Sequence, residues 1–162
     1  MLIYRITKER YLETYNGLGG SYEDGARWNL PGTPVLYFGL SAAVAMLEMA
    51  NYTSTPRLVP PSYRLAVYEI PADTPIDRLD QDDWPEDWPQ FPYPESTQAI
   101  GDQWLREGQR FGLIVPSCAV SGGLGEIMVV NPSHETIRQI RLVETRSDIF
   151  NPRAFVGVGR TE

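Results

Sequence analysis

The alternation of apolar and polar positions divides this 162-residue chain into short strands and a few helices. Residues 2–6 (LIYRI) are apolar enough for a first strand covered on both faces. A short helix is expected over 8–15 with Thr7 as its N-cap, then a loop over 16–21 from its Asn, Gly and Ser content. Residues 25–50 read as strand, turn, strand and helix. Pro31-Gly32-Thr33-Pro34 forces the turn, the second strand covers 35–38, and Ser41 caps a helix over 42–51. A proline-marked connection over 57–61 leads to a strong strand over 63–70, ended by Pro71. From 74 to 94 the chain is expected to form a long ordered loop, because its aromatics favour burial while its prolines oppose helix and sheet. A helix follows with Ser96 as cap, reaching Gly108 and turning Ile100, Trp104 and Leu105 inward. Strands over 112–116, 126–130 and 137–143, with a flexible glycine-rich stretch at 121–125, complete the reading. About six strands and three helices without a regular β-α-β alternation predict an α+β fold in one compact domain over 1–162.

Composition adds exclusions. With 42% apolar and 22% charged residues, the chain has the make-up of an ordinary soluble domain, large enough for a sizeable core. Its longest apolar stretch is too short for a bilayer and carries Glu48. The N-terminus is apolar and then charged, the reverse of a secretory signal, so the cytoplasm is the expected location. One cysteine, Cys118, and one histidine, His134, leave no disulfide framework and make a metal site unexpected. The net charge is −7, and the window 73–95 holds eight acids against the single base Arg78, which accounts for the whole excess. No basic stripe follows, so direct nucleic-acid binding is disfavoured, while a small nucleotide held by one or two arginines is allowed.

Candidate chemistry gathers in 25–50. Glu48 is the only charged side chain between Arg27 and Arg57. It is either a solvated glutamate on a polar helix face or, since its helix is apolar nearly all round, a buried carboxylate that needs a partner or a task. Arg27 is either a surface or salt-bridged arginine or a planar fork for a phosphate or pyrophosphate. Tyr37 is either a core tyrosine or an aromatic plate for a flat ring. Ser117 and Cys118 raise the question of a nucleophile, but nothing around Ser117 resembles a Gly-x-Ser-x-Gly elbow, and His134 is the only available imidazole. The glycines at 122–125 lack the lysine of a phosphate-binding P-loop.

In order along the chain, Arg27, Glu48 and Ser117 spell the pattern that names the RES domain family. Gly25-Ala26-Arg27-Trp28-Asn29 and the following Gly32-Thr33-Pro34-Val35-Leu36-Tyr37 resemble its first motif, and AVAMLEM (43–49) resembles its glutamate-bearing helix. Gly101-Asp102-Gln103-Trp104-Leu105 is similar to a later helix, Val115-Pro116-Ser117 to the serine motif, and Asn131-Pro132-Ser133-His134 to an Asn-Pro-x-His signature.

The resemblance implies a fold similar to ADP-ribosyltransferases, with mixed sheets and a few flanking helices. It also implies a toxin of a bacterial toxin–antitoxin pair, neutralised by an Xre-type helix-turn-helix antitoxin and consuming NAD+ by glycohydrolysis or phosphorolysis. The alternatives are transfer of ADP-ribose to a protein, or a nucleotide-binding interaction module without turnover. On that reading Arg27, Glu48 and Ser117 are catalytic. Arg27, Tyr37 and Ser117 hold NAD+, and Asn131 and His134 brace the pocket.

Overall fold

The computed structural model describes residues 1–53, 55, 58–151, 153 and 154. The connection expected at 57–61 and the C-terminal end of the chain fall partly outside them. A seven-stranded sheet organises the domain: β1 (Leu2–Lys8), β2 (Leu36–Gly39), β3 (Tyr63–Glu69), β4 (Ile76–Arg78), β5 (Gly112–Pro116), β6 (Glu126–Val130) and β7 (Arg141–Arg146). Their order across the sheet is β4-β5-β6-β2-β1-β3-β7. All neighbours are antiparallel except β4 and β5. Three α-helices accompany the sheet among the described residues: α1 (Gly20–Asp24), α2 (Ala42–Ala50) and α3 (Glu95–Glu107). The architecture is α+β, as the sequence predicts, with a single mixed sheet.

Alternation along the central strands builds two cores. Leu36, Phe38, Ile114, Met128 and Val130 point to one face, where Ile3, Tyr68 and Phe111 join them. Val35, Leu113, Val115, Ile127 and Val129 point to the other, against Trp28, Val44 and Leu105. Both faces of β5 and β6 are therefore covered, which is why these strands read as unbroken apolar runs.

Several local expectations give way to longer-range pairing. The helix expected over 8–15 is replaced by continuation of β1 through Lys8 and a short 3-10 turn, Glu9–Tyr11. Seven paired positions with β3, from Leu2↔Glu69 to Lys8↔Tyr63, outweigh the local helical preference. The loop expected over 16–21 already contains the start of α1. Residues 25–30 form a tight turn with one isolated Ala26↔Asn29 bridge instead of a strand. The long loop of 74–94 contributes β4, three residues paired in parallel with β5. Ser41 caps α2 as expected, its Oγ accepting from Val44 N at 3.1 Å. At α3 the cap position falls to Pro94, and Ser96 instead donates to Asp87 Oδ1 at 2.5 Å. The last strand begins later than expected, because Glu135–Gln139 form a 3-10 turn before it. Among the described residues, no helix is long and apolar enough to cross a membrane.

One contact fixes the candidate site to this frame. A Cβ built on Gly101 would lie 2.0 Å from the Trp28 carbonyl oxygen, so α3 packs directly on the turn that carries Arg27. Gly101→Ala is expected to destabilise the fold by about 3 kcal/mol or more, because backbone meets backbone and neither can yield locally. A thermal melt checks this; an unchanged midpoint would contradict the close packing.

Candidate functional site

Topology brings Ser117 and α2 to the same end of the sheet. Gly39, three residues before α2, pairs with Ile127, and Pro116 pairs with Glu126. Ser117 leaves β5 at that end, fully buried, with its N–H donating to Gly125 O at 2.8 Å. Its Oγ donates to Glu48 Oε1 at 2.6 Å and accepts from Ala119 N at 3.2 Å. Glu48 sits half-buried near the end of α2, and among the described residues its carboxylate is held at one oxygen, Oε1. Of the two readings of Glu48, the structure shows a half-buried carboxylate whose hydrogen-bond partner among the described residues is Ser117. The Ser117 hydroxyl points its proton at a carboxylate and not at an imidazole. His134 lies elsewhere.

Arg27 reaches the same region from the tip of the 26–29 turn. Its Nη1 donates to the carbonyls of Trp88 at 2.5 Å and Gln90 at 2.8 Å, and its guanidinium lies 5.3 Å from the centre of the Tyr93 ring. The Tyr93 hydroxyl pairs with that of Tyr52, two residues beyond α2, at 3.1 Å. Cys118, next to Ser117, makes a long contact from its Sγ to Trp88 O at 3.7 Å. The Trp/Pro-rich stretch is thus a strap across the site, meeting Arg27, Cys118 and Tyr52 in turn. Its aromatics support one another, Trp84 and Trp88 packing edge to face at 5.2 Å.

The electrostatics tie these side chains together. Burial pushes the Cys118 thiol pKa up, while the nearby Arg27 cation pulls it down and the Glu48 carboxylate adds to the rise. Arg27 and Glu48 also both act on the Tyr52 hydroxyl. Trp88 joins the two sides geometrically, its carbonyl meeting both the Arg27 guanidinium and the Cys118 thiol next to Ser117. Tyr37 contributes differently. Its hydroxyl donates to Asn29 Oδ1 at 2.8 Å and accepts from Trp28 N at 3.3 Å. Burial pushes its pKa well above the ordinary tyrosine range, although the Trp28 N–H opposes the shift. Tyr37 is a neutral phenol tied to the Arg27 turn.

Asn131 and His134 lie at the opposite end of β5 and β6. Val130 pairs with Gly112, and Asn131 follows it, about 17 Å along the strand from the level of Glu126 at ~3.3 Å per residue. Asn131 Oδ1 accepts from Ser133 N at 3.0 Å, and its buried Nδ2 has no partner among the described residues. It lines a small cavity of about 170 Å³ with Thr33, Arg106 and Ser133. His134 caps the following 3-10 turn, Nδ1 accepting from Thr136 N at 3.2 Å, and its ring stands edge-on to Phe111. The structure thus brings together Arg27, Tyr37, Glu48 and Ser117, and places Asn131 and His134 apart from them. Sequence reasoning did not single out Asn29, Gln90, Tyr93 or Tyr52. The only sign of the strap was the density of aromatics between prolines, which asks for a surface to cover.

The RES domain family matches residues 2–150. The chain belongs to the RES domain family. Toxin Res of Yersinia enterocolitica is 34% identical to this RES domain over 155 residues, spanning 94% of this chain and 99% of that protein. Toxin Res of Photorhabdus laumondii is 34% identical over 122 residues, 74% of this chain and 76% of that one. The Prs ADP-ribosylating toxin of a Sphingobium strain is 26% identical over 136 residues, 83% of each. In the crystal structure of the M. tuberculosis MbcT–MbcA toxin–antitoxin complex, one chain superposes on this RES domain with a TM-score of 0.67 and 23% identity. The match covers 90% of this chain and 82% of that chain and shows a shared fold.

Proposed function

We propose that this RES domain is a toxin of a toxin–antitoxin pair that consumes NAD+ by breaking the nicotinamide–ribose bond. The observation that carries the reading is the Glu48 carboxylate held at 2.6 Å by buried Ser117, with the Arg27 guanidinium and Cys118, the neighbour of Ser117, both meeting the Trp88 carbonyl. NAD+ presents a pyrophosphate for a planar cation and a ribose already joined to a cationic leaving group. As the C1′–N bond breaks, its electron pair leaves with nicotinamide and the ribose becomes oxocarbenium-like. A fixed carboxylate beside the ribose stabilises that charge most in the transition state. Glu48 supplies the charge, with Oε2 the oxygen offered to a ribose hydroxyl. Ser117 orients Glu48, and Arg27 binds the pyrophosphate. An incoming water or phosphate then bonds to C1′, and the proton of the incoming group passes to solvent.

The kinship with a protein named an ADP-ribosylating toxin favours a second reading, in which a protein side chain takes the place of water or phosphate. Mass spectrometry separates the two: purified protein and NAD+ are incubated with and without phosphate, and then with cell lysate. Free ADP-ribose or its phosphorylated form is expected from the first reading, and a modified protein from the second. A search for the inhibitor should begin with Xre-type helix-turn-helix antitoxins, as expected for a RES toxin.

Ser117→Ala tests the division of labour. A hydrogen bond to a charged group contributes roughly 1.5–3 kcal/mol, so kcat is expected to fall about 10- to 150-fold while KM for NAD+ stays within about twofold. A rise in KM at unchanged kcat would assign Ser117 to substrate binding instead.

A further inference from the structure

We infer that Tyr37 and Asn29 are positioning residues that hold Arg27 in its working orientation, rather than groups that touch the substrate. The inference rests on the proposed pyrophosphate role of Arg27. Arg27 stands on a four-residue turn with few bonds of its own, closed by Ala26 N to Asn29 O at 3.1 Å and Asn29 N to Ala26 O at 3.4 Å. Such a turn presents a side chain reproducibly only if something outside it fixes it. Asn29 does so from within the core. It is fully buried, and its amide nitrogen donates to Ser21 O at 2.7 Å and Leu30 O at 3.0 Å. Its remaining oxygen accepts from Tyr37, so every polar atom of the amide is used, and the Tyr37 hydroxyl also receives the Trp28 N–H.

The clamp therefore takes hold on both sides of Arg27. From β2, one phenol grips residues 28 and 29. From α3, Gln98 Nε2 donates to Ala26 O at 3.1 Å, just before Arg27. The buried Trp28 ring anchors the tip, leaving Arg27 as the side chain of the turn that faces the strap. A stacking plate would need a free ring face in the site. The Tyr37 ring instead packs with the core on the α3 side of the sheet, and its one reactive atom is spent on the turn.

The test removes single atoms from the clamp. Tyr37→Phe keeps the ring and deletes only the hydroxyl. It is expected to raise KM for NAD+ about tenfold with kcat within about twofold, and to shift or broaden the Arg27 Nε–H signal in 15N NMR of the ligand-free protein. In an Arg27→Ala background the same change should add nothing to KM, since the group it positions is gone. Gln98→Leu, at a half-buried position, carries the same readouts if Tyr37→Phe does not fold. Wild-type KM with an unmoved Arg27 signal would overturn the inference, and so would a Tyr37→Phe effect that adds fully to that of Arg27→Ala. A displaced Arg27 signal with unchanged KM would leave the clamp standing and remove the pyrophosphate role.

Discussion

Glu48→Gln is expected to reduce nicotinamide release at least about 100-fold, the scale at which removing one preorganised charge-stabilising group lowers enzymatic rates. The glutamine keeps the size of the side chain and an oxygen that can accept from Ser117, so only the negative charge is removed. The effect should fall on kcat, because the developing positive charge on the ribose exists only as the bond breaks. The fold should survive. Glu48 is half-buried, its side chain makes one hydrogen bond to the frame among the described residues, and α2 keeps its Ser41 cap. The melting temperature should stay within a few degrees while the rate collapses. A solvated helix glutamate would give the opposite pattern, with full turnover, and a variant releasing nicotinamide at the parental rate would remove Glu48 from the chemistry.

Arg27→Ala is expected to raise the apparent KM for NAD+ by about 30- to 1,000-fold, the equivalent of losing roughly 2–4 kcal/mol of charge-assisted bidentate contact. Only Nη1 is engaged by the strap, so the rest of the fork remains for a pyrophosphate. Arg27→Lys should recover only a fraction of the loss, because an ammonium keeps the charge without the planar pair of donors. A second consequence concerns the strap itself. Without Arg27, the carbonyls of Trp88 and Gln90 lose their shared donor and Tyr93 loses the cation over its ring. Tryptophan fluorescence should respond, since Trp84 and Trp88 pack together in this stretch. Saturation behaviour identical to the parent would argue against a phosphate role for Arg27.

How much of this could be read from residues alone differs between fold and site. The strands β5 and β6 were legible as apolar runs between proline or glycine breaks, β3 as a run rich in aromatic and branched residues between prolines, and α2 because Ser41 stands before a run of good helix formers. β4 was not: three residues in an acidic, proline-flanked stretch carry no period, and only the neighbouring edge of β5 makes them a strand. The 26–29 turn was misread as a strand because its apolar residues are local, whereas Asn29 and Gly101, which set its shape, act through side-chain and backbone contacts with other elements. In the site, the ordered spelling of Arg27, Glu48 and Ser117 points to the family from the residues alone. The bond between Ser117 and Glu48 could not be foreseen. It spans 69 residues and depends on β2 and β5, which flank β6 on opposite edges, both ending at the same end of it. Asn131 and His134 show the converse. Their motif was visible, yet β6 carries them to the far end of the sheet.

Nicotinamide release from NAD+ by the purified 162-residue chain, followed chromatographically with time, is the most direct measurement of what the Arg27, Glu48 and Ser117 constellation does. Nicotinamide is expected to accumulate through many turnovers in the parental protein and to stay at background with Glu48→Gln. NAD+ that remains intact beside a folded parental protein, with phosphate and lysate supplied as acceptors, would contradict the proposed chemistry.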